Sequence, residues 1–409
     1  MKPIAVLIKT ASMILAALVL MTLNGHAQEK PIKIGFVGDF VDVSQAYTRD
    51  SFNAARLAVM QINDSGGLLG RPVELIKRDG GNTPQEHYDL TAALIKNEGV
   101  VAVFGGASSP CVLKASQACL EQKVPYLISI GNSQSIVVEN GHPFVFLFEP
   151  NSWMESRGFS IFATLMPWKR YGWLGPNYSW GRDVMKYFKQ HFAEIGAPIE
   201  WSVEAWHPVG AGDFEDSIRK IMDTKPDALI LASYGEDLRH FIQQASPRGL
   251  FDRMVVFGWF SLLPGDTTHF LPNGIWTLSR GPFRYLAQKY PQTRRFVDNY
   301  HKQFNGFPQG FTICTYDSFI AWQQAVLQTG SAEPAAVAES LKGLNFNGLR
   351  GPSYIRAIDG QMDCPTYFGR VTYLPEYPVA VLDSVIEVPA EKTWLSETDV
   401  LFRRQNPGS

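Results

Sequence analysis

The sequence predicts an α/β protein built from two doubly wound units of similar size, and three observations carry that expectation. Apolar strand segments alternate with amphipathic helical segments from residue 32 to about residue 280. The strands are near-continuous apolar runs, as in parallel sheets covered on both faces. A chain of 409 residues, 45% hydrophobic and 19% charged, suffices for two or three domains.

The first 27 residues stand apart from this pattern. Lys2 and Lys9 precede the apolar run "ASMILAALVLMTL", and Gly25 and Ala27 supply small residues before Gln28. That order predicts a secretory signal peptide cleaved before Gln28. No later stretch reaches the roughly 20 apolar residues a membrane helix needs. The first cysteine is Cys111, so no lipid-anchored mature N-terminus is expected, and the protein is expected free in the periplasm.

From there the elements follow in order. "IKIGFVGDF" reads as a strand and "RDSFNAARLAVMQINDSGG" as a helix closed by glycine; "PVELIKRD", "PQEHYDLTAALIKNEG", "VVAVFGG", "PCVLKASQACLEQK" and "VPYLISIG" continue the alternation. Four strands with three intervening helices make the first unit. The second runs through "KRYGWLG", "GRDVMKYFKQHFAEIG", "IEWSVEAW", "GDFEDSIRKIMDTK", "PDALILAS", "EDLRHFIQQASPRG", "RMVVFGWF" and "GIWTLS". Residues 283–345 are mainly helical, and "SYIRAI", "TYFGRVTYL" and "PVAVLDSVIEV" then read as short strands.

Composition narrows the function. The formal charge of −2 becomes −4 once two leader lysines are removed, with no basic face, so nucleic acid is excluded as a partner. Cys111 and Cys119 fall on one predicted helix, about 12 Å apart at 1.5 Å per residue, too far for a disulfide. Pairing with Cys314 or Cys364 stays open. No cluster of His and Cys has metal-ligand spacing, and no cofactor is expected. His207, His269 and His301 read as scattered surface residues, and the acids of "DFVD" as solvated or capping.

In open α/β sheets ligands sit beyond the carboxyl ends of the strands, which points to turns rich in Ser, Asn, Tyr and Trp. The turn "VFGGASSPCVL" could cradle a phosphate, expose a nucleophilic serine or receive a carboxylate. It lacks the Lys-Ser/Thr of a phosphate loop, and Pro110 replaces the second glycine of a nucleophile elbow. The carboxylate reading remains: glycines let the backbone approach a ligand, and Ser109 caps the helix that Pro110 starts.

The order of motifs resembles the periplasmic leucine/isoleucine/valine-binding protein family, the type I solute-binding proteins of ABC importers. The resemblance spans nearly the whole mature chain. Its most specific stretch is the helix leading into "GGLLGRPVEL", joined by "FGGASSPCVLKAS", "PYLISIGNSQS" and "DFEDSIRKI". It implies a type I periplasmic binding protein fold, two α/β lobes joined by a three-strand hinge around a ligand cleft. The division implied is 28–149 (first lobe), 150–282 (second lobe), 283–351 (return to the first) and 352–409 (completion of the second, with the tail). By motif, Ser109, Asn132 and Ser133 fall where the family holds its ligand's carboxylate. Tyr47 and Phe311 fall on its aromatics, and Trp180 and Tyr234 where it has tyrosines.

One departure stands out. The family's amino-acid binders carry an acid after the strand read here as "MVVFGWFS", which pairs with the ligand's ammonium. Trp259 and Phe260 stand there, and a buried ammonium without a paired charge costs several kcal/mol. The expectation is therefore a non-enzymatic, monomeric binding protein that captures a small carboxylate with an apolar or aromatic body, Phe260 among its contacts. It would close about its hinge and deliver the ligand to a membrane permease. The alternatives are a branched-chain amino acid or amide binder of the same family, and an extracytoplasmic hydrolase, for which no nucleophile–base pair is visible.

Overall fold

The computed structural model describes residues 30–41, 45–81, 83–106, 108–260 and 270–407. The expected signal peptide, His269 and Asp42 lie outside the described residues. The first lobe holds β1 (Ile32–Gly38), α1 (Gln45–Asp64), β2 (Val73–Asp79), α2 (Pro84–Ala93), β3 (Val103–Gly106), α3 (Ser109–Gln122), β4 (Tyr126–Ile130) and β5 (Val145–Leu147). Its strands form one parallel sheet in the order β2-β1-β3-β4-β5. Side chains of β1, β3 and β4 are buried almost throughout, which is why these segments read as unbroken apolar runs.

The second lobe begins with α4 (Ser152–Ala163) and continues through β6 (Arg170–Pro176), α5 (Ser179–Ile195), β7 (Glu200–His207), α6 (Glu215–Thr224), β8 (Ala228–Leu231), α7 (Gly235–Ala245), α8 (Leu250–Arg253), β9 (Val255–Gly258) and β10 (Trp276–Ser279). Next come α9 (Phe283–Lys289), α10 (Pro291–Phe304), α11 (Gly310–Thr329), α12 (Pro334–Leu341) and the hairpin β11 (Asn345–Gly348) with β12 (Gly351–Tyr354). Of these, α11 packs along α1 and against β4 in the first lobe. Finally β13 (Thr366–Thr372) and β14 (Val381–Val388) join the second sheet, and α13 (Glu397–Gln405) ends the described chain. That sheet runs β14-β13-β10-β9-β8-β6-β7, parallel except that β13 is antiparallel to both neighbours.

The chain therefore passes between the lobes after β5, after β10 and before β13. A single side chain holds all three passages. Arg350 donates from Nη2 to the Phe148 carbonyl (2.6 Å) and from Nη1 to the Arg280 carbonyl (3.4 Å), and Nη2 lies 3.1 Å from Met362 Sδ. Its Nε donates to Asp317 Oδ2 at 2.8 Å, and both side chains are fully buried. A buried arginine with its donors filled and its charge paired keeps the three strands in register.

The glycine pair that ends β3 is required by the sheet. Gly105 (φ +105°) and Gly106 (φ +130°) adopt conformations closed to other residues, and a Cβ on Gly106 would lie 2.0 Å from the Ile130 carbonyl oxygen. The two glycines let β3 seat against β1 and β4 at a register shift between Gly105 and Gly106.

Candidate functional site

Strand order reverses beside β1 and β3 in the first lobe and beside β6 and β8 in the second. Ligands of open α/β sheets bind outside the carboxyl ends of strands at such points. The turns leaving these four strands and β4 converge on one cleft with about 440 Å3 of empty space, mouth included. The first lobe contributes Tyr47, Ser108, Ser109, Ile130, Gly131 and Asn132, with Phe311 from the start of α11; the second contributes Tyr178, Trp180, Tyr234 and Arg280. A larger groove of about 2110 Å3 lies at the opposite, amino ends of β8–β10 between Trp168 and Arg370.

Six of the sequence-predicted residues, Tyr47, Ser109, Asn132, Trp180, Tyr234 and Phe311, thus share one cleft. Ser109 does so differently from the expectation. Ser108, not Ser109, is the N-cap of α3, and its side chain makes no capping bond. Ser109 Oγ instead accepts the Ser133 backbone N–H at 3.2 Å, which leaves its own hydroxyl proton to donate. The first N–H groups of α3 remain uncapped by a side chain at the cleft wall, a place where the helix dipole favours negative charge. Asn132 is fixed by its Nδ2 donating to the Pro150 carbonyl at 2.9 Å.

Ser133 and Phe260 fall outside the cleft. Ser133 Oγ donates to Asp183 Oδ2 at 2.7 Å, joining a first-lobe turn to α5 of the second lobe. Phe260 is buried with Leu231 and Val256 in the second lobe's own core.

The aromatic walls are mutually braced. Tyr47 lies against Phe311 with centroids 5.1 Å apart. Trp180 meets Tyr234 edge-on at 5.8 Å, and the Tyr234 hydroxyl donates to that of Tyr178 at 3.2 Å. Arg280 places Cζ 4.6 Å from the Phe311 ring centroid.

Arg280 and Tyr178 were missed by sequence reasoning. The usable signal was "TLSRGPF", an arginine at the carboxyl end of an apolar strand. Arg280 Nε donates to Glu155 Oε1 at 2.7 Å, and Glu149 Oε2 lies 3.1 Å from the same nitrogen without hydrogen-bond alignment. Trp259 Nε1 donates to the other Glu155 oxygen at 3.2 Å. An acid therefore does reach the "GWF" turn, from α4, but the Arg280 guanidinium already occupies it. Burial, opposed by Arg280, pushes the Glu149 carboxyl up to about 8.

Several other sequence readings change. Asp39 is buried and lies 2.7 Å from His87 Nε2 rather than being solvated. His207 is buried, whereas His301 is exposed as expected. All four cysteines are free and buried. His207 Nε2 lies 2.9 Å from Ser233 Oγ, while its Nδ1 lies 2.7 Å from the Pro208 carbonyl and 3.7 Å from Asp237 Oδ2. This is the order of a Ser–His–Asp set, yet Ser233 has no exposed surface, and the contacts tie the loop after β7 to α7.

Two α/β lobes around a strand-end cleft, crossed three times by the chain, define a periplasmic binding protein of type I. The profile of the periplasmic binding protein family matches residues 31–373, and the chain belongs to that family, as a solute-binding protein of an ABC transporter. It is similar to the Leu/Ile/Val-binding protein homolog 8 of Brucella abortus, 23% identical over 73% of this chain and 76% of that one. Among solved structures, a solute-binding protein from Rhodopseudomonas palustris in complex with 3,4-dihydroxybenzoic acid superposes with a TM-score of 0.79 at 21% identity, over 88% of this chain and 98% of that one. A leucine-binding protein from Thermotoga maritima gives 0.75 at 20% identity, over 87% and 98%. At these identities the superpositions establish the fold.

Proposed function

We propose that this solute-binding protein captures a small organic carboxylate with a flat, apolar body and passes it to its membrane permease. The observation that supports this most is the charge of the cleft wall. Among the described residues lining it none is acidic, the Arg280 charge is paired with Glu155, and the first-lobe wall presents the uncapped N–H end of α3. The carboxylate would sit on the first lobe, at the uncapped start of α3, the Ser109 hydroxyl and the turn at Gly131–Asn132. The body would lie between Tyr47, Phe311, Trp180 and Tyr234, whose faces favour a flat apolar group.

An α-amino acid fits less well, because its ammonium would meet Arg280 and an acid, Glu155, that is already paired. The R. palustris relative bound to a dihydroxybenzoate and the leucine-binding relative mark the two ligand chemistries within this fold. Secretion through the leader ending at Ala27 would leave a monomer free in the periplasm. Thermal shift with aromatic and aliphatic carboxylates against leucine, isoleucine and valine tests the reading. Stabilisation by carboxylates supports it, and stabilisation by the amino acids alone overturns it.

A further inference from the structure

Two buried donors in the cleft wall have no acceptor among the described residues: Arg280 Nη1 and Trp180 Nε1. Arg280 is 3% exposed and Trp180 is 4% exposed, and both line the cleft from the second lobe. With Nε committed to Glu155, the guanidinium lies across the Phe311 ring that forms the facing wall. The plane of the indole is fixed by edge contacts to Tyr234 (5.8 Å) and Trp259 (5.4 Å). Both groups can only donate. The first lobe presents the Ser109 hydroxyl and the start of α3 to the same cleft, and no described residue there accepts from Arg280 Nη1 or Trp180 Nε1. Buried donors without acceptors call for an explanation. Trp153, Trp173 and Trp322 also have an unpartnered Nε1 elsewhere in the protein, so it is the place of Arg280 and Trp180 on the wall of one cleft that points to a ligand atom.

We propose that the ligand carries, besides the carboxylate seated on the first lobe, a hydroxyl or oxo oxygen on its body that accepts from Arg280 and Trp180. The substrate class is hydroxy- and oxo-carboxylates. A neutral oxygen suits the place better than a second carboxylate, because Glu155 already compensates the Arg280 charge. The inference rests on the reading of the cleft as a carboxylate site.

Calorimetry on the full mature protein with matched pairs tests it: benzoate against its 3- and 4-hydroxy derivatives, and 4-methylpentanoate against its 2-hydroxy and 2-oxo derivatives. At least one oxygenated member is expected to bind about tenfold tighter than its parent, since a site built to donate to an oxygen discriminates against a ligand lacking it. Trp180→Phe, which keeps an aromatic ring and removes the N–H, is expected to bring that ratio close to one, and Arg280→Lys to reduce it. Equal affinities within every pair, or a ratio that survives Trp180→Phe, overturns the inference and leaves the carboxylate reading standing. Binding of none of these carboxylates removes both.

Discussion

Ser133 Oγ donates to Asp183 Oδ2 across 2.7 Å, a direct bond between a turn of the first lobe and α5 of the second. The same hydroxyl accepts the Ser135 N–H at 3.4 Å and so opens a short helical turn at Gln134–Ile136. Asp183 sits beside Glu139, and burial raises its carboxyl above the usual range while the Ser133 bond lowers it. A hydrogen bond to a charged group contributes about 1.5–3 kcal/mol. Here it belongs to the form in which the lobes are together, since its two ends lie on different lobes.

Asp183→Ala is therefore expected to weaken every ligand by one common factor, about tenfold, because it acts on lobe closure and on no ligand atom. Calorimetry across several ligands checks this. Factors that differ widely between ligands would place Asp183 in direct contact with them.

Ser109→Ala acts on the first-lobe wall of the cleft. It removes the acceptor for the Ser133 N–H and, on the proposed reading, a donor to the carboxylate, so affinity is expected to fall by about 1–3 kcal/mol. Calorimetry with any ligand from the panel reads it directly, and unchanged affinity removes Ser109 from the site.

Stability should fall as pH rises from about 7 to 9; below that, His142 and His191, which burial lowers to about 4, oppose the trend. Burial pushes Glu149 up to about 8, and burial would lower His87 but its contact with Asp39 raises it to about 9. Both folded values exceed the unfolded ones. The stabilisation is therefore complete below the unfolded values and is lost as pH passes through the folded ones. If its whole shift is expressed, His87 contributes about 3 kcal/mol and Glu149 about 5 kcal/mol. Urea unfolding against pH checks the slope. Glu149→Gln should flatten it between about pH 7 and 8, and His87→Asn between about pH 7 and 9.

Gly106→Ala is expected to cost more than about 3 kcal/mol, from the strained φ and the approach of its Cβ to the Ile130 carbonyl oxygen. Urea denaturation reads this, and near-neutral behaviour would show that β3 and β4 can separate without loss.

The alternation of strand and helix was legible because each buried strand is a separate apolar run. Several elements were not, among them β5, α4 and the terminal helix α13. With Val145–Leu147, β5 is only three residues long. Helix α4 buries ten of its twelve residues, Ser152, Glu155 and Ser160 among them, so no polar face marks it as amphipathic. In the site, the turns that bring Tyr47, Ser109, Trp180 and Tyr234 together follow from strand order, which the motifs carry. Ser133 was legible as a turn residue, but its hydroxyl is taken by Asp183, fifty positions along the chain. Arg280 was hidden for a similar reason. Its meaning depends on Glu155, 125 positions away, and on a ring contact with Phe311.

The central claim is that the cleft holds a carboxylate without an amine. Mass spectrometry of the small molecule released when purified protein is denatured tests it most directly. The account predicts an organic acid lacking an α-amino group and bearing an additional oxygen. Release of leucine, isoleucine or valine would contradict it.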